Sequence, residues 1–427
     1  MVRRVLMTTS GTLGDLHPYV AVSIGLRQRG HEVTIATSEV YRTKIEGEGI
    51  GFHPIRPDLG PVYRDSDVMR RALDPSTGTE FVVRQLLLPH LEESYEDLLQ
   101  ACRTKDLLVS HTAGAYALPL VAEKLQIPWV SIALQPHIFF SIYDPPVLPS
   151  TTEPYRFFGF SDWEYMLLFW STKRRTRAWM KPVDELRSRL GLAPAVGHPM
   201  FEGAFSPYGT LAWFSALMGS QQQDWPNHTR ITGFPFHDRQ EAGKGLDSRL
   251  SEFLEKGEPP IVFTLGASAV LDSGDFFEQS ISAARKLGRR AVLLMGAQEP
   301  SREWNSLPDT MFVADYAPYS ALLPLAAVTV HQGGIGTTAQ ALRAGRPMLV
   351  VPYSNDQPDN AQRVARLGVA RVVYPRLYTA KRAQAELTRL LSDSSYSGRA
   401  AEVGQQIRTE EGVAAACDAL EELAAAA

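Results

Sequence analysis

The sequence predicts an α/β protein of the GT-B type, in which two Rossmann-like, doubly wound parallel-sheet domains face each other across a cleft. The chain has 427 residues, which is too many for one hydrophobic core and fits two domains of about 200 residues. Short apolar stretches alternate with longer amphipathic ones, and this alternation favours a parallel sheet covered by helices on both faces. The alternation restarts near the middle of the chain, so a second domain follows the first.

The elements of the first domain begin at the start of the chain. Apolar runs and the glycine and proline residues that bound them predict strands over residues 2–8, 32–37, 107–110 and 129–133, and helices over residues 17–29 and 115–125. Each helix connects two strands, which is the βαβ pattern of a parallel sheet.

The second set of elements follows residue 244. The pattern predicts strands over residues 261–265, 291–295, 311–313, 328–331 and 348–352, and helices over residues 276–287, 337–344 and 358–367. We therefore divide the chain into an N-terminal domain (1–226), a linker rich in Pro, Gly and charge (227–244), a C-terminal domain (245–405) and a C-terminal helix (406–427) that packs back across the lobes.

Composition excludes several classes of function. The net charge is −4 with no basic block, which argues against binding to nucleic acid. The two cysteines, Cys102 and Cys417, match no metal-ligand spacing. The N-terminus lacks the apolar core of a signal peptide, and no stretch approaches the roughly 20 apolar residues of a membrane span. We expect a cytoplasmic protein.

The sharpest motif is a glycine-rich turn between a predicted buried strand and a predicted helix. It reads His-Gln-Gly-Gly-Ile-Gly-Thr-Thr over residues 331–338. Glycines allow close approach of the backbone, and the N–H groups at a helix N-terminus favour an anion, so a diphosphate suits the turn. The turn matches neither a Walker loop nor the dinucleotide pattern. A purely structural turn is the alternative.

Two polar residues after the next strand belong to the same sheet edge. Asp356 and Gln357 follow the strand over residues 348–352. Loops after successive parallel strands meet at one edge, so these side chains should lie beside His331. A carboxylate and an amide together can bind several sugar hydroxyls. The alternative role of Asp356 is to cap a helix.

The corresponding loop of the first domain carries a second carboxylate. It reads Ser-Gly-Thr-Leu-Gly-Asp-Leu-His-Pro over residues 10–18, between the first strand and the first helix. Asp15 and His17 therefore lie at the sheet edge that faces the other domain. Capping of the helix by Asp15 is compatible with catalysis by the same carboxylate.

These motifs resemble those of the family 1, GT-B fold glycosyltransferases, a group that includes natural-product glycosyltransferases, sterol glucosyltransferases and a rhamnosyltransferase of rhamnolipid synthesis. The resemblance covers the whole chain and is most specific over residues 316–369. It implies an Asp15 general base with His17 as a second candidate, a sugar held by Asp356 and Gln357, and a nucleobase stacked on Tyr316. The implied diphosphate contacts are His331, Gly333, Gly334, Gly336, Thr337 and Ser268.

One position departs from the family pattern. Many members grip the ribose hydroxyls with a Glu at the position of Ala339. We expect UDP-glucose as the donor, and the missing Glu keeps a dTDP-deoxysugar of the rhamnose type as the alternative. The resemblance also implies inversion without a metal or cofactor: an Asp has a pKa of about 3.9 when free, so it takes the proton late, as the acceptor oxygen bonds to the sugar.

Aromatic residues concentrate between the two domains' regular elements, over residues 139–208. In an irregular part of the first domain they indicate a hydrophobic pocket for a lipophilic acceptor, although packing within the core is the alternative for each residue. The residues that we assign to this pocket are Phe139, Phe140, Tyr143, Trp163 and Trp170. The basic residues that follow Trp170 are also compatible with peripheral contact to an anionic membrane.

Three rival interpretations remain. The sequence Asp65-Ser66-Asp67 resembles the D-x-D metal motif of the other glycosyltransferase fold, and we expect a solvated loop there. A two-lobed nucleotide-sugar binding protein would need no base, so Asp15 argues against it. An epimerase of the same fold would need no acceptor pocket, so the aromatic region argues against that activity.

Overall fold

A computed structural model describes residues 3–62, 65–149, 161–237, 245–266, 269–296 and 307–426. Seven described strands form the first sheet in the order β3-β2-β1-β4-β5-β6-β7, and their pairings are parallel. The strands are β1 (Arg4–Thr8), β2 (Glu32–Thr37), β3 (Gly51–Pro54), β4 (Leu107–His111), β5 (Trp129–Ala133), β6 (Thr210–Ala212) and β7 (Thr229–Ile231).

Six described strands form the second sheet in the order β10-β9-β8-β11-β12-β13, again with parallel pairings. They are β8 (Ile261–Thr264), β9 (Ala291–Leu294), β10 (Met311–Ala314), β11 (Val328–His331), β12 (Met348–Val350) and β13 (Ala370–Val372). Every residue of β4, β5, β8 and β9 is buried, as expected for strands that helices cover on both faces. The predicted fold class is confirmed.

Helices connect the strands of both sheets. In the first lobe they are α1 (Leu13–Gln28), α2 (Arg42–Gly47), α3 (Ser66–Ala72), α4 (Gly78–Phe81), α5 (Leu91–Cys102), α6 (Ala117–Leu125), α7 (Asp162–Thr176) and α8 (Lys181–Arg189). After β7 they are α9 (Ser248–Glu255), α10 (Phe276–Leu287), α11 (Tyr319–Leu322), α12 (Ile335–Ala344), α13 (Gln357–Arg366), α14 (Ala380–Ser392), α15 (Ser394–Thr409) and α16 (Gly412–Ala426). None of the described helices is long and apolar enough to cross a membrane.

The structure differs from the sequence prediction at several element ends. Helix α1 begins at Leu13, before the predicted start, because Thr12 and Asp15 form a capping box at its first turn. The short strands β3, β6, β7 and β13 were not predicted, since three or four residues carry too little periodicity to recognise. Strand β7 lies within the range that we predicted as the linker, so the first sheet extends beyond residue 226.

The C-terminal stretch forms two helices where the sequence predicted one. Helix α15 packs against α12 of the second lobe, and α16 packs against α1 of the first. Arg29, the C-cap residue of α1, stabilises the second contact, because its Nη1 donates to Asp418 Oδ1 at 2.5 Å and to Glu421 Oε2 at 2.7 Å. The end of the chain therefore joins the two lobes.

Candidate active site

A cavity of about 990 Å³ opens between the two sheets, and residues of both lobes line it. It lies at the carboxyl ends of the strands, beside β1 and β4 in one lobe and β8 and β11 in the other. The strand order reverses at both of these pairs, which is where ligands bind in open α/β sheets. The loops that follow β1 and β11 are two of the three segments that the sequence motifs singled out; the third follows β12.

The N-termini of α1 and α12 meet across this cavity. A methyl group added at Gly336 on α12 would lie 3.2 Å from the Cα of Gly14 on α1. Any larger side chain would therefore push the two lobes apart at this point. The positive dipole ends of both helices therefore lie at the same place, which makes the cleft favourable for an anion.

Asp15 lies at the start of α1 and is held by the loop before it. The backbone N–H of Thr12 donates to Asp15 Oδ2 at 2.9 Å. Gly11 has φ of +120°, and a side chain there would come within 2.3 Å of Asp15 Oδ2. Oδ1 accepts no hydrogen bond from the described residues. The carboxylate is thus fixed through one oxygen, and the other is available to accept a proton.

Burial changes the acid strength of both base candidates, in opposite directions. Removal of water around the carboxylate raises the pKa of Asp15 to about 6. Burial, together with Lys44 and with His237, whose ring lies 5.5 Å from that of His17, lowers the pKa of His17 to about 3. At neutral pH Asp15 is therefore the stronger base of the two, and both line the cavity.

The glycine-rich turn joins β11 to α12. Gly334 caps the helix, and Gly334, Gly336 and Thr337 line the cavity. His331 is completely buried at the end of β11, where its Nδ1 accepts a hydrogen bond from the N–H of Gly333 at 3.1 Å. The ring lies behind the turn rather than among the cavity-lining residues, so a direct contact of His331 with a diphosphate stays a prediction. Ser268 lies outside the described residues.

Asp356 and Gln357 are fixed in the same way as Asp15. Asp356 Oδ2 accepts from the Ile335 N–H at 3.0 Å and from Asn360 Nδ2 at 2.6 Å. Gln357 Oε1 accepts from the backbone N–H groups of Tyr353 and Ser354. Each side chain therefore keeps one polar atom that forms no hydrogen bond with a described residue. These atoms are Asp356 Oδ1 and Gln357 Nε2. These two atoms can bind a ligand in the cavity.

The negative charge of Asp15 acts on the pKa of Asp356 across the cleft. Burial, and after it the nearby negative charge of Asp15, raise the pKa of Asp356 to about 7. Two carboxylates this close favour a ligand that carries several hydroxyl groups, since hydroxyls donate hydrogen bonds to both. A sugar has this chemistry.

The predicted nucleobase and ribose positions both line the cavity. Tyr316 follows β10 and is 65% exposed, so a large part of its surface faces open space. Ala339 lies on α12 and is 5% exposed. A small, buried side chain at this place offers no hydrogen bond to a ribose. Stacking on Tyr316 remains a prediction.

The aromatic pocket requires a correction. Phe140 lines the cavity, but Phe139 packs in the core, with its ring 4.0 Å from that of Trp225. Trp163 and Trp170 are 58% and 59% exposed on the outer face of α7, because that helix turns Thr172, Arg175 and Thr176 toward the cavity. Tyr143 is also exposed and outside the cavity lining. The aromatic residues that do line it, besides Phe140 and Tyr316, are Tyr116, Trp179, Phe201, Trp213, Phe234, Phe236 and Tyr319.

Sequence reasoning also missed polar residues of the donor side. Gln332 is buried between two loops: methyl groups added at Gly266 and Gly334 would lie 2.3 Å and 2.9 Å from its Nε2. Tyr319 shares a 2.8 Å hydrogen bond with Thr264. Gln332 stands inside the motif that was recognised, whereas the position of Tyr319 depends on how α11 packs. Only the first could have been found from the sequence.

The rival metal motif has another role. Asp65 is the N-cap of α3 and accepts from the N–H groups of Asp67 and Val68, while Asp67 pairs with Arg70 at 3.1 Å. This part of the chain is a helix start and not the solvated loop that we expected. Within the described residues no group of three or more His, Cys, Asp or Glu side chains is arranged to hold a metal ion.

Comparison with known proteins decides the family. The model of the glycosyltransferase family 28 N-terminal domain matches residues 5–137, and that of the erythromycin biosynthesis protein CIII-like C-terminal domain matches residues 280–423. An O-mycaminosyltylonolide 6-deoxyallosyltransferase of Streptomyces fradiae is 31% identical over 99% of this chain and 97% of its own length. This chain belongs to the family 1 glycosyltransferases of the GT-B fold. The glycosyltransferase is also 25% identical to a sterol 3-beta-glucosyltransferase of Arabidopsis thaliana, over 97% of this chain and 67% of the relative.

Solved structures show the same fold. The glycosyltransferase matches the glycotransferase of kitacinnamycin with a TM-score of 0.73 at 23% identity, over 99% of both chains. It matches the glycosyltransferase VinC in complex with dTDP with a TM-score of 0.70 at 22% identity, over 99% of this chain and 100% of VinC. The predicted family, the fold and the enzyme class are therefore confirmed.

Proposed function

We propose that this glycosyltransferase moves a hexose from a nucleoside diphosphate onto a hydroxyl of a lipophilic small molecule, with inversion and without a metal ion. The observation that carries the proposal is the contact of Gly14 with Gly336, which brings Asp15 of one lobe and Asp356 of the other to one cavity. A base, a sugar-binding carboxylate and two helix N-termini then surround one position.

The transfer is a single displacement. The acceptor oxygen bonds to the anomeric carbon while the bond from that carbon to the diphosphate breaks, and the diphosphate leaves with the electron pair. The acceptor proton passes to Asp15, whose raised pKa of about 6 makes it a stronger base than a free Asp while it stays ionised at neutral pH. Attack from the opposite lobe inverts the configuration. The N-termini of α12 and α1 stabilise the departing charge.

For the donor we place a dTDP-deoxyhexose before UDP-glucose, which reverses the order expected from the sequence. Ala339 leaves the ribose 2′-hydroxyl of a UDP-sugar without a partner at this position, and a dTDP-sugar has no such hydroxyl. The Streptomyces fradiae relative is named as a deoxyallosyltransferase and VinC was solved with dTDP. The sterol glucosyltransferase relative supports UDP-glucose as the second candidate.

Two assays test the proposal. Thermal melting with dTDP and with UDP shows which of the two nucleotides the protein binds more tightly. A ligand at 100 times its dissociation constant stabilises the folded protein by about 2.7 kcal/mol. Incubation of dTDP-rhamnose or UDP-glucose with a panel of polyketide, phenolic and sterol alcohols should give products heavier by one deoxyhexosyl or one hexosyl residue, respectively. The products should form both with and without EDTA. Loss of product with EDTA would contradict the metal-independent mechanism, and an epimerised nucleotide sugar without glycoside would contradict the transferase.

A further inference from the structure

A buried ion-pair network joins the two lobes through residues that take no part in the transfer step proposed above. Its centre is Arg363 on α13 of the second lobe. The Nε atom of Arg363 donates to Asp359 Oδ2 at 2.6 Å, one turn earlier on the same helix. The Nη1 atom donates to Asp144 and, at 2.9 Å, to the carbonyl oxygen of Met218. Asp144 follows β5 and Met218 follows β6, so both of these partners belong to the first lobe.

The first-lobe end of the network lies in a loop of the acceptor half of the cavity. We call residues 140–149, which follow the short helix Pro136–Phe139, the acceptor loop. Phe140, Leu148 and Pro149 of this loop line the cavity. The groups that contact α13 lie between Phe140 and Leu148 in the chain. The network therefore determines where the lining residues of the loop stand.

Two points of the acceptor loop are attached to α13. Asp144 accepts from Arg363, and its Oδ1 also accepts from Arg366 Nη1 at 3.2 Å. The backbone N–H of Val147 donates to Asp359 Oδ1 at 3.1 Å. Asp359 thus uses one oxygen within its own helix and the other for the acceptor loop. Two attachments a few residues apart hold the loop in place more firmly than one.

The second-lobe end of the network lies on the helix that presents the residues proposed to bind the sugar. Asp356 is the N-cap of α13 and Gln357 is its first residue, and both line the cavity. Arg363 lies on the same helix, which has 10 residues. Because so short a helix moves as a unit, a shift of the acceptor loop against Arg363 is also a shift against Asp356 and Gln357.

The network consists of charges that the protein holds away from water. The side chains of Arg363, Asp359 and Asp144 are 2%, 1% and 13% exposed. Burial acts to raise the pKa of Asp144, but the charges of Arg363 and Arg366 hold it below its usual value, so the carboxylate is ionised. Apolar side chains of similar volume often stabilise a buried interface as well as an ion pair does. A planar guanidinium, in contrast, donates in set directions and therefore selects one arrangement of the two lobes.

We propose that Arg363 is a positioning residue, which holds the acceptor loop against the start of α13 so that the acceptor hydroxyl meets the anomeric carbon of the sugar. The inference rests on the proposed function and adds to it the group that aligns the two substrates. Without this group both substrates can still bind, but their reacting atoms are misaligned. A misplacement of about 1 Å is enough to slow a reaction by about a hundredfold.

Two reactions of the same donor test this alignment. In transfer the acceptor oxygen bonds to the anomeric carbon, and in hydrolysis without an acceptor a water oxygen does so. In both reactions the diphosphate leaves with the electron pair, and the attacking oxygen gives up its proton. Hydrolysis requires the donor site but not the acceptor loop. The probes are dTDP-rhamnose or UDP-glucose, whichever the wild type turns over, and the alcohol of the panel that it glycosylates fastest.

Arg363→Met should lower kcat for transfer by about tenfold to a hundredfold, because the two substrates are no longer aligned. The rate of hydrolysis and the affinity for the bare nucleoside diphosphate should stay unchanged. Arg363→Lys keeps the charge without the planar donor geometry, so it should recover part of the lost transfer. Product analysis by chromatography gives the ratio of transfer to hydrolysis for each variant.

Glu386→Gln is the matched control for the loss of a buried ion pair. Glu386 is 1% exposed and pairs with Arg371, Arg382 and Arg389, all within the second lobe, and it does not line the cavity. The control should lower the melting temperature without changing the ratio of transfer to hydrolysis. A similar fall of this ratio in the control would show that Arg363 acts only through stability.

Hydrogen exchange provides a readout that needs no acceptor. The Val147 N–H is bonded to Asp359, so amide exchange over residues 140–149 should become faster in Arg363→Met and stay unchanged in Glu386→Gln. If Arg363→Met does not fold, Asp144→Asn carries both measurements. An unchanged ratio of transfer to hydrolysis in the folded variant, or an equal loss of both reactions, would overturn the positioning role. A wild type that forms no glycoside would instead overturn the proposed function, and the exchange rates would still decide whether the network holds the acceptor loop.

Discussion

The two walls of the cleft are built in different ways. The donor wall draws its residues from the segments that directly follow the consecutive strands β10, β11 and β12. They are Tyr316, Gly334, Thr337, Ala339 and Asp356. The acceptor wall is assembled from loops and helices spread from residue 10 to residue 237. One wall is thus a local property of the sequence and the other a property of the whole lobe.

The two carboxylates show what the difference means for function. Asp15 and Asp356 each hold one oxygen in hydrogen bonds beside a helix N-terminus and keep the other for a ligand. Asp15 stands beside the histidines and the apolar lining of the acceptor wall, while Asp356 stands beside the glycine-rich turn. In the proposed reaction the same local construction would serve proton transfer on one side and sugar binding on the other.

The largest effect should come from Asp15→Asn. The amide still accepts the hydrogen bond from Thr12 but takes no proton, so turnover should fall by about 10² to 10⁴. Affinity for the donor nucleotide should stay unchanged, because the residue belongs to the other wall. Steady-state kinetics and calorimetry measure the two quantities. Near-normal turnover of the folded variant would reduce Asp15 to a helix cap and make His17 the next residue to test.

Asp356→Ala and Gln357→Ala should act on the sugar alone. Each change removes a polar atom that forms no hydrogen bond with a described residue. The expected loss in affinity for the nucleotide sugar is about tenfold or more. Affinity for the bare nucleoside diphosphate, measured in the same calorimeter, should change by less than about twofold. Equal losses for both ligands would move these residues from the sugar to the phosphates.

The pH dependence of kcat/KM should follow the titration of Asp15 on the acceptor wall. Asp15 is active as the carboxylate, and its pKa is raised to about 6, so kcat/KM should fall by about tenfold for each pH unit below that value. The residual activity of Asp15→Asn should lack this acid limb. A limb that persists in the variant would assign the titration to another group, with Asp356 the first candidate.

The smallest expected effect is that of Asp15→Asn on the free energy of unfolding. Because the pKa of Asp15 is higher in the folded protein than in the unfolded chain, the stability it contributes is complete below the unfolded pKa of about 3.9 and is lost as the pH rises through about 6. Asp15→Asn should therefore raise the free energy of unfolding at pH 8 by on the order of 1 kcal/mol, and at pH 4 by less.

Asp65→Asn is the matched control for this measurement. Asp65 also caps a helix but is exposed, and Asn caps about as well as Asp, so the variant should change stability little at either pH. Destabilisation by Asp15→Asn at pH 8 would show that its carboxylate is not penalised by burial.

The contrast between the walls also explains what the sequence could predict. The turn over residues 331–337 and the pair Asp356 and Gln357 are contiguous motifs at the ends of strands, and parallel topology alone brings them together. The buried position of His331 was not predictable, because it depends on a side-chain rotation behind the turn. Trp163 and Trp170 were assigned to the pocket by composition, whereas the face that α7 presents is decided by its packing.

Direct displacement between the two walls is most directly tested by the configuration of the product. With a donor that supports turnover, proton NMR of the first product formed should show the anomeric configuration opposite to that of the nucleotide sugar. That result is expected if Asp15 activates an acceptor on one wall while the sugar is held by Asp356 on the other. A product with the donor's own configuration would contradict the single displacement and require a different arrangement of the catalytic groups.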